Sequence, residues 1–349
     1  MKFRLLEWLA CPACRCENLT LVPTKTSSSL TFRGCWEVGE SELPGLNVHD
    51  RELTEIEEGS INCDACNAKY EIVGGIPRMI LPDLKSAGNT GHKWTQFDGQ
   101  APEYEANFSD MTSPMGARDF IGKVVVDIGC GFGRHSFFAA QYGAEVVAMD
   151  CSADAVEAAA VNCESFSRVH AVQGDLYNPP FKRSVFDIAF CFGVLHHVNS
   201  PEQGFRRLKE LIIPNGKLQV WVYGPRQGAL AHISKWLHGT ASDMDDRSLH
   251  RLSIGLASSL RAFSHTPYRL LRHTPILNSV VTHLPAHDHH KWSFDVVVAD
   301  VYDRLRIPVT AWITGEELER WYGDDGYADI SVTRRVRNNE SFRGTGTKR

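Results

Sequence analysis

No apolar run in this 349-residue chain approaches the roughly 20 residues that a bilayer-spanning helix needs. The apolar start, residues 1–10, is interrupted by Lys2, Arg4 and Glu7 and has no small-residue cleavage site after it. The expectation is therefore a chain without a secretory signal, located in the cytoplasm. Charged residues at 23% and hydrophobic residues at 43% exclude a collagen-like or disordered chain. A net charge of −5 and the lack of interleaved basic and aromatic residues argue against wholesale coating of nucleic acid. That total hides an uneven spread: residues 226–291 carry eight Lys or Arg against four Asp, and hold nine of the fifteen histidines. Such a run is read first as a solvated face. The length suggests two compact units, or one with a substantial attachment, at roughly 150 residues per domain.

Six of the ten cysteines (Cys16, Cys35, Cys130, Cys151, Cys163 and Cys191) show no pairing pattern, which leaves little support for a disulfide framework. The other four form two Cys-x-x-Cys pairs, Cys11 with Cys14 and Cys63 with Cys66. Two tight knuckles of this kind present four thiolates tetrahedrally to zinc, and four thiolates leave no position for water, so the metal is expected to be structural. Cys16 is an alternative to Cys14 as one ligand. The 48 residues between Cys14 and Cys63 exceed the usual ribbon spacing, so residues 27–59 are expected to form an inserted excursion, a hairpin plus an acidic segment. The stretches Leu5-Leu6-Glu7-Trp8-Leu9-Ala10-Cys11-Pro12-Ala13-Cys14 and Tyr70-Glu71-Ile72-Val73-Gly74-Gly75-Ile76-Pro77-Arg78 resemble the small zinc-ribbon proteins that activate tRNA, rRNA and release-factor methyltransferases. The same ribbon is found fused ahead of bacterial methyltransferase domains. The resemblance covers residues 1–82.

Further on, Val124-Val125-Val126-Asp127-Ile128 runs into Gly129-Cys130-Gly131-Phe132-Gly133 and then a helix-like stretch at 135–142. Strand, glycine turn and helix bring backbone amides to the carboxyl end of a strand, where a ligand can approach closely. A dinucleotide fingerprint needs its third glycine at position 134, which is Arg134, so the spacing speaks against NAD. Asp150 and Asp175 fall at the ends of the next two strand-like runs. Asp150 suits a carboxylate accepting from both ribose hydroxyls, and Asp175 one accepting from an adenine amino group, with Leu176 against the ring. A strand-end turn acid is the competing reading for each.

Residues 124–223 together resemble the class I S-adenosylmethionine-dependent methyltransferases. The resemblance implies that Asp127, Gly129, Gly131 and Gly133 border the methionine moiety, Asp150 the ribose, and Asp175 and Leu176 the adenine, with Phe192 closing the pocket. The implied fold is α/β: a seven-stranded Rossmann-like sheet, an N-terminal zinc-ribbon domain, and a helical insertion before a terminal hairpin. Domain limits follow as 1–82 for the ribbon, 83–122 for a linking segment reaching the cofactor pocket through Trp94, Phe97 and Tyr104, and 123–349 for the methyltransferase domain, with its insertion at 224–292.

Methyl transfer from a sulfonium is an in-line displacement, so the protein must align the nucleophile and sometimes remove a proton. His196 and His197, just past the fourth strand, are the candidates for a base, with a structural or orienting role as the alternative; Tyr223 is weaker. Within the insertion, 229–238 and 249–263 read as helices. His283, His287, His289 and His290 invite a metal reading but read better as a polar loop. Ser200-Pro201-Glu202-Gln203 reads as a capped helix start and Thr314-Gly315-Glu316-Glu317 as a capping box. After it, 327–335 and 341–347 form the two arms of the hairpin, turning at Asn338-Asn339.

These readings predict methyl transfer from S-adenosylmethionine to a small molecule or biosynthetic intermediate. An RNA or protein acceptor held by the ribbon is the competing enzyme reading, and a cofactor-binding scaffold without turnover the competing class. The ribbon is expected to be structural before it is a recruiter, and the sequence sets no oligomeric state.

Overall fold

Both cysteine pairs fold as knuckles, each closed by a residue in left-handed backbone: Arg15 at φ 65° after Cys14, and Asn67 at φ 58° after Cys66. The Arg15 amide donates to the Cys11 carbonyl at 2.8 Å and the Asn67 amide to the Cys63 carbonyl at 3.0 Å, so the two turns are near copies. The computed structural model describes residues 1–28, 54–82, 102–225, 241, 244–306, 311–334 and 341–349. Strand β1 (Leu19–Ser28) leaves the first knuckle and pairs antiparallel with β2 (Thr54–Cys63) from Leu19 opposite Cys63 to Ser28 opposite Thr54. The predicted excursion thus begins as a hairpin, and its acidic remainder, 29–53, lies outside the described residues. Strands β3 (Lys69–Val73) and β4 (Ile76–Met79) complete the ribbon.

The ribbon does not form a separate sheet. β4 pairs in parallel with β7 (Val169–Gly174), Arg78 opposite Gln173 and Met79 opposite Gly174. With β5 (Val124–Ile128), β6 (Glu145–Asp150), β8 (Phe186–Phe192), β9 (Ile212–Tyr223), β10 (Tyr327–Arg334) and β11 (Ser341–Lys348), the order is β1-β2-β3-β4-β7-β6-β5-β8-β9-β11-β10. Among the described residues the sheet has eleven strands: the seven from β5 to β11, and the four ribbon strands that one parallel ladder joins to them. Strands β5 to β9 run parallel to one another, while β11 lies antiparallel between β9 and β10. From β5 the chain adds β6 and β7 on one side and β8 and β9 on the other, which makes the β5/β8 boundary the topological switch point.

The helices are α1 (Pro102–Thr112), α2 (Arg134–Gln141), α3 (Ala153–Asn162), α4 (Pro201–Leu211), α5 (Asp246–Leu260), α6 (Thr266–Leu271), α7 (Pro275–Val281), α8 (Phe294–Arg306) and α9 (Gly315–Asp324). Thr314 caps α9 as the sequence suggests, its hydroxyl accepting from the Glu317 amide at 3.1 Å. Ser200 departs from expectation: Pro201 does open α4, but the Ser200 side chain makes no cap bond. A helix covers most of 249–263, and a π turn (Arg261–His265) ends it. The helix expected at 229–238, the turn at 338–339, Trp94 and Phe97 lie outside the described residues. Among the described residues no helix is long and apolar enough to cross a membrane.

Burial explains why the ribbon stays attached. One hydrophobic core runs from Leu5, Trp8, Leu9 and Ile61 of the ribbon to Val126, Ile128, Phe186 and Leu218 of the parallel strands. Each such side chain contributes roughly 1.5–3 kcal/mol when fully buried. Polar contacts fix the register: the Ala10 amide donates to the Pro180 carbonyl at 3.0 Å, and the Lys182 amide to the Trp8 carbonyl at 2.8 Å. Glu145 receives Arg4 at 3.3 Å and His170 at 3.1 Å, and the Trp8 ring meets His170 edge-on at 5.4 Å. A second core, with Phe108, Phe120, Phe138, Phe190 and Phe192, includes residues of α1 and α2.

Candidate functional site

At the carboxyl ends of β5 and β6 the backbone folds into a cradle. The amides of Gly129 and Cys130 both donate to the Met149 carbonyl, at 2.7 and 3.0 Å, which ties the loop after β5 to the end of β6. Gly129, Gly131 and Gly133 take φ of 75°, 55° and 84°, a region that side chains disfavour. A Cβ at Gly129 would lie 2.2 Å from Val194, and one at Gly133 would lie 3.0 Å from the Ala159 backbone, so both positions are also closed by packing. Beyond Gly133, α2 begins with its first-turn amides at the loop.

Two acids stand at this cradle. Asp127 is fully buried and accepts from the Ser136 hydroxyl at 2.7 Å. Burial pushes its pKa up to about 6, against the pull of that hydrogen bond. Asp150 takes the Gly131 amide on Oδ2 at 3.0 Å and the Ser152 amide on Oδ1 at 2.9 Å. Burial raises its pKa while these amides lower it. Asp175 organises its own turn, Oδ2 accepting from the amides of Tyr177 and Asn178, both at 3.1 Å. Leu176 is buried against α4, where a Cβ at Gly204 would lie 2.8 Å from its Cδ2. Phe192 stacks on Phe190 at 5.0 Å and meets His135 edge-on at 5.2 Å. Tyr104 of the linking segment packs on Phe132 in the glycine loop at 5.9 Å, with the Arg134 guanidinium 5.5 Å from its ring. The sequence reading missed Gln173, whose Nε2 donates to the Cys151 carbonyl at 2.9 Å and links β7 to the loop after Asp150; a lone Gln at a strand end carries no motif.

The two histidines have different surroundings. His196 is fully buried, and its Nδ1 accepts from the Tyr223 amide at 3.3 Å, tying the turn after β8 to the end of β9. Burial, then the neighbouring His197, drives its pKa well below the usual imidazole range, so it is neutral. His197 is half-buried, its ring 4.1 Å from that of His196.

At the ribbon tip, the sulfurs of Cys11, Cys14, Cys63 and Cys66 all lie within 4.8 Å of one another. The Cys11–Cys66 and Cys14–Cys63 separations are 3.7 and 3.5 Å. Tetrahedral zinc with bonds of about 2.3 Å requires sulfurs about 3.8 Å apart, so the set fits zinc. Cys16 is directed elsewhere, 3.8 Å from the Asn18 carbonyl, which settles the fourth ligand in favour of Cys14. The Tyr70 hydroxyl lies 3.1 Å from the Cys11 sulfur, placed to donate to a thiolate. Burial opposes ionisation of Cys63, but the Cys66 and Ala65 amides and the neighbouring thiols outweigh it and bring its pKa to about 6. The four histidines at 283–290 form no such group: among the described residues the cysteine cluster alone is spaced to hold a metal ion.

Comparison with known proteins matches residues 126–220 to the family described as methyltransferase domain, and residues 2–75 to the Trm112p-like proteins. Both resemblances drawn from the sequence therefore stand. The mitochondrial ubiquinone biosynthesis O-methyltransferase of Schizosaccharomyces pombe is 35% identical over 103 residues, 28% of this chain and 37% of that one. The probable tRNA methyltransferase 9B of Homo sapiens is 30% identical over 131 residues, 34% of this chain and 27% of that one. The chain thus spans well under half the length of these two relatives. Among solved structures, the magnesium protoporphyrin IX methyltransferase of Synechocystis PCC 6803 aligns with a TM-score of 0.41 and 15% identity, over 72% of this chain and 84% of that one.

Proposed function

We propose that this chain is an S-adenosylmethionine-dependent methyltransferase acting on a small molecule or biosynthetic intermediate, with a structural zinc in its ribbon. The carrying observation is the cradle at the carboxyl ends of β5 and β6: buried Asp127, three glycines at positive φ, and Asp150 held by the Gly131 and Ser152 amides. When bound, S-adenosylmethionine supplies an electrophilic methyl group on a sulfonium. Asp127 with Gly129, Gly131 and Gly133 would hold its methionine part, Asp150 the ribose, and Asp175 and Leu176 the adenine. Since Asp175 Oδ2 is engaged by its own turn, Oδ1 is the oxygen offered to the base. Phe192 and Tyr104, both buried in the aromatic core beside Phe132, exclude water from the cradle. His197 is the member of the pair that can take a proton from an acceptor, whereas His196 holds the turn that positions it.

Two observations support a small acceptor. Trp292, just before α8, packs both on the aromatic core containing Phe132 and Phe192 and on the core between α5 and α8, so that helical segment abuts the acceptor side. The ubiquinone relatives are named for a small-molecule acceptor. The tRNA methyltransferase relative and the Trm112p-like match favour a second reading, an RNA or protein acceptor. A non-catalytic scaffold is disfavoured because every cofactor position implied by the resemblance is present. The test is methyl transfer from radiolabelled S-adenosylmethionine into a host lysate split into small-molecule, RNA and protein fractions, with Asp150→Ala as control. Label among small molecules is expected. Label in RNA or protein would overturn the acceptor class, and no label together with no binding of S-adenosylhomocysteine would overturn the enzyme.

A further inference from the structure

The basic run noted in the sequence folds, in its described part, into a cleft whose four cations have no part in the proposed methyl transfer. Arg261 from the π turn, Arg269 and Arg272 from α6 and its end, and His290, Lys291 and Trp292 line a cleft of about 310 Å3. Four cationic side chains converge there. None of the four is in an ion pair with a side chain that the structure describes, a set that does not include Asp288; the nearby His289 faces Asp300 at 3.8 Å.

Neutral groups hold these cations instead. Arg261 Nη2 donates to the Trp292 carbonyl at 2.9 Å, and the Trp292 ring is itself stacked on His289 at 3.6 Å. Arg272 places Nη1 3.0 Å from His290 Nε2 and Nε 3.1 Å from His273 Nε2. His290 Nδ1 lies 3.0 Å from the His287 carbonyl, so a proton on Nδ1 leaves Nε2 to accept from Arg272. Burial and the surrounding Arg272, Lys291 and Arg269 keep that imidazole neutral. Dipoles orient the guanidinium groups without cancelling their charge, an arrangement suited to a multiply charged oxyanion that accepts paired N–H donors. In the same helical segment, Leu270 directly follows Arg269 and is 73% exposed, and along α7 Ile276 and Val280 are 84% and 61% exposed, one helical turn apart.

We propose that this cleft is a phosphate-binding site, and that the exposed apolar side chains of α6 and α7 select a phosphate carried on a lipid. The inference does not rest on the methyl-transfer reading: Arg261, Arg269, Arg272 and Lys291 take no part in it, and Trp292, which also packs on the aromatic core, is the shared residue. The guanidinium forks and Lys291 meet the phosphate oxygens, and Leu270, Ile276 and Val280 meet the hydrocarbon beside it.

The test uses the full chain, titrated with inorganic pyrophosphate by calorimetry and sedimented with phosphatidylcholine vesicles with and without phosphatidylglycerol. Arg269→Gln with Lys291→Gln alters two exposed side chains and is expected to weaken both interactions about tenfold or more, one charge-assisted contact being worth about that factor. Should the pair fail the folding check by circular dichroism, Lys291→Gln alone is read. Pyrophosphate binding with phosphatidylglycerol-dependent sedimentation, both lost in the variant, supports the proposal. Pyrophosphate binding without preference for the anionic vesicle overturns the lipid source and leaves a site for a soluble phosphate. Binding of neither, or binding unchanged in the variant, overturns the site.

Discussion

Met79 stands opposite Gly174 in a parallel ladder, and this pairing makes the ribbon and the cofactor strands one sheet. The contact is close on the β7 side too. A Cβ at Gly174 would lie 2.7 Å from Pro180, whose carbonyl receives the Ala10 amide beside Cys11. The metal centre, the ribbon edge and the strand leading into Asp175 are therefore joined by short, buried steps.

Replacing Cys63 by Ser is expected to release zinc and lower the melting temperature of the whole chain. Structural zinc sites are worth roughly 10 kcal/mol or more of apparent binding energy in small ribbons. Because the ribbon shares its core with the parallel strands, calorimetry should show one cooperative transition moving down. A metal-free wild type by elemental analysis, or a separate ribbon transition, would contradict this.

Trp8→Ala removes the side chain that fills the seam between ribbon and sheet, in contact with His170 and Phe186. Loss of a buried Trp costs about 3–5 kcal/mol. Urea denaturation should show the midpoint lowered and the unfolding free energy reduced by that amount, with zinc content retained.

Asp150→Ala should weaken S-adenosylhomocysteine binding by at least about tenfold, through loss of a charge-assisted contact of roughly 1.5–3 kcal/mol. It also strips an acceptor from the Gly131 and Ser152 amides. Unchanged affinity by calorimetry would remove Asp150 from the ribose assignment.

Asp127 is expected to make cofactor binding depend on pH. Its folded pKa, about 6, lies above the ordinary carboxyl value, so its contribution to stability is complete below the unfolded pKa and is lost as pH rises through about 6. Ligand binding is expected to have the opposite sign, because the cofactor's ammonium group would be attracted to the ionised carboxylate. Affinity for S-adenosylhomocysteine should therefore rise between pH 5 and pH 7, and Asp127→Asn should flatten that rise while stabilising the ligand-free protein at neutral pH. A flat wild-type profile would refute the contact.

The histidine pair should separate by readout. His196→Ala leaves the Tyr223 amide without its buried acceptor and is expected to cost about 1–3 kcal/mol in thermal stability. His197→Ala should leave the melting temperature nearly unchanged and lower methyl transfer. Equal losses of stability in both variants would assign both to the scaffold.

Cysteine spacing, alternating glycines and strand-end acids were legible because each is a local device. A Cys-x-x-Cys knuckle and a turn at positive φ are made by four or five consecutive residues, whatever the chain does elsewhere. The Thr314 cap was legible for the same reason, whereas Ser200 shows that the right residue at a helix start need not make the bond.

By itself, then, the sequence determined that this protein would carry a zinc ribbon and a glycine-loop α/β domain, since their chemistry lies in short spacings. Tertiary structure alone decided that β4 joins β7, that His196 is a buried neutral imidazole while its neighbour stays half-buried, and that Arg261, Arg272 and Lys291 converge on one cleft. Each of those outcomes depends on groups far apart along the chain being brought within hydrogen-bond or van der Waals reach. Hydrophobic burial drives that approach without regard to direction, and no spacing along the chain records which partners it will bring together.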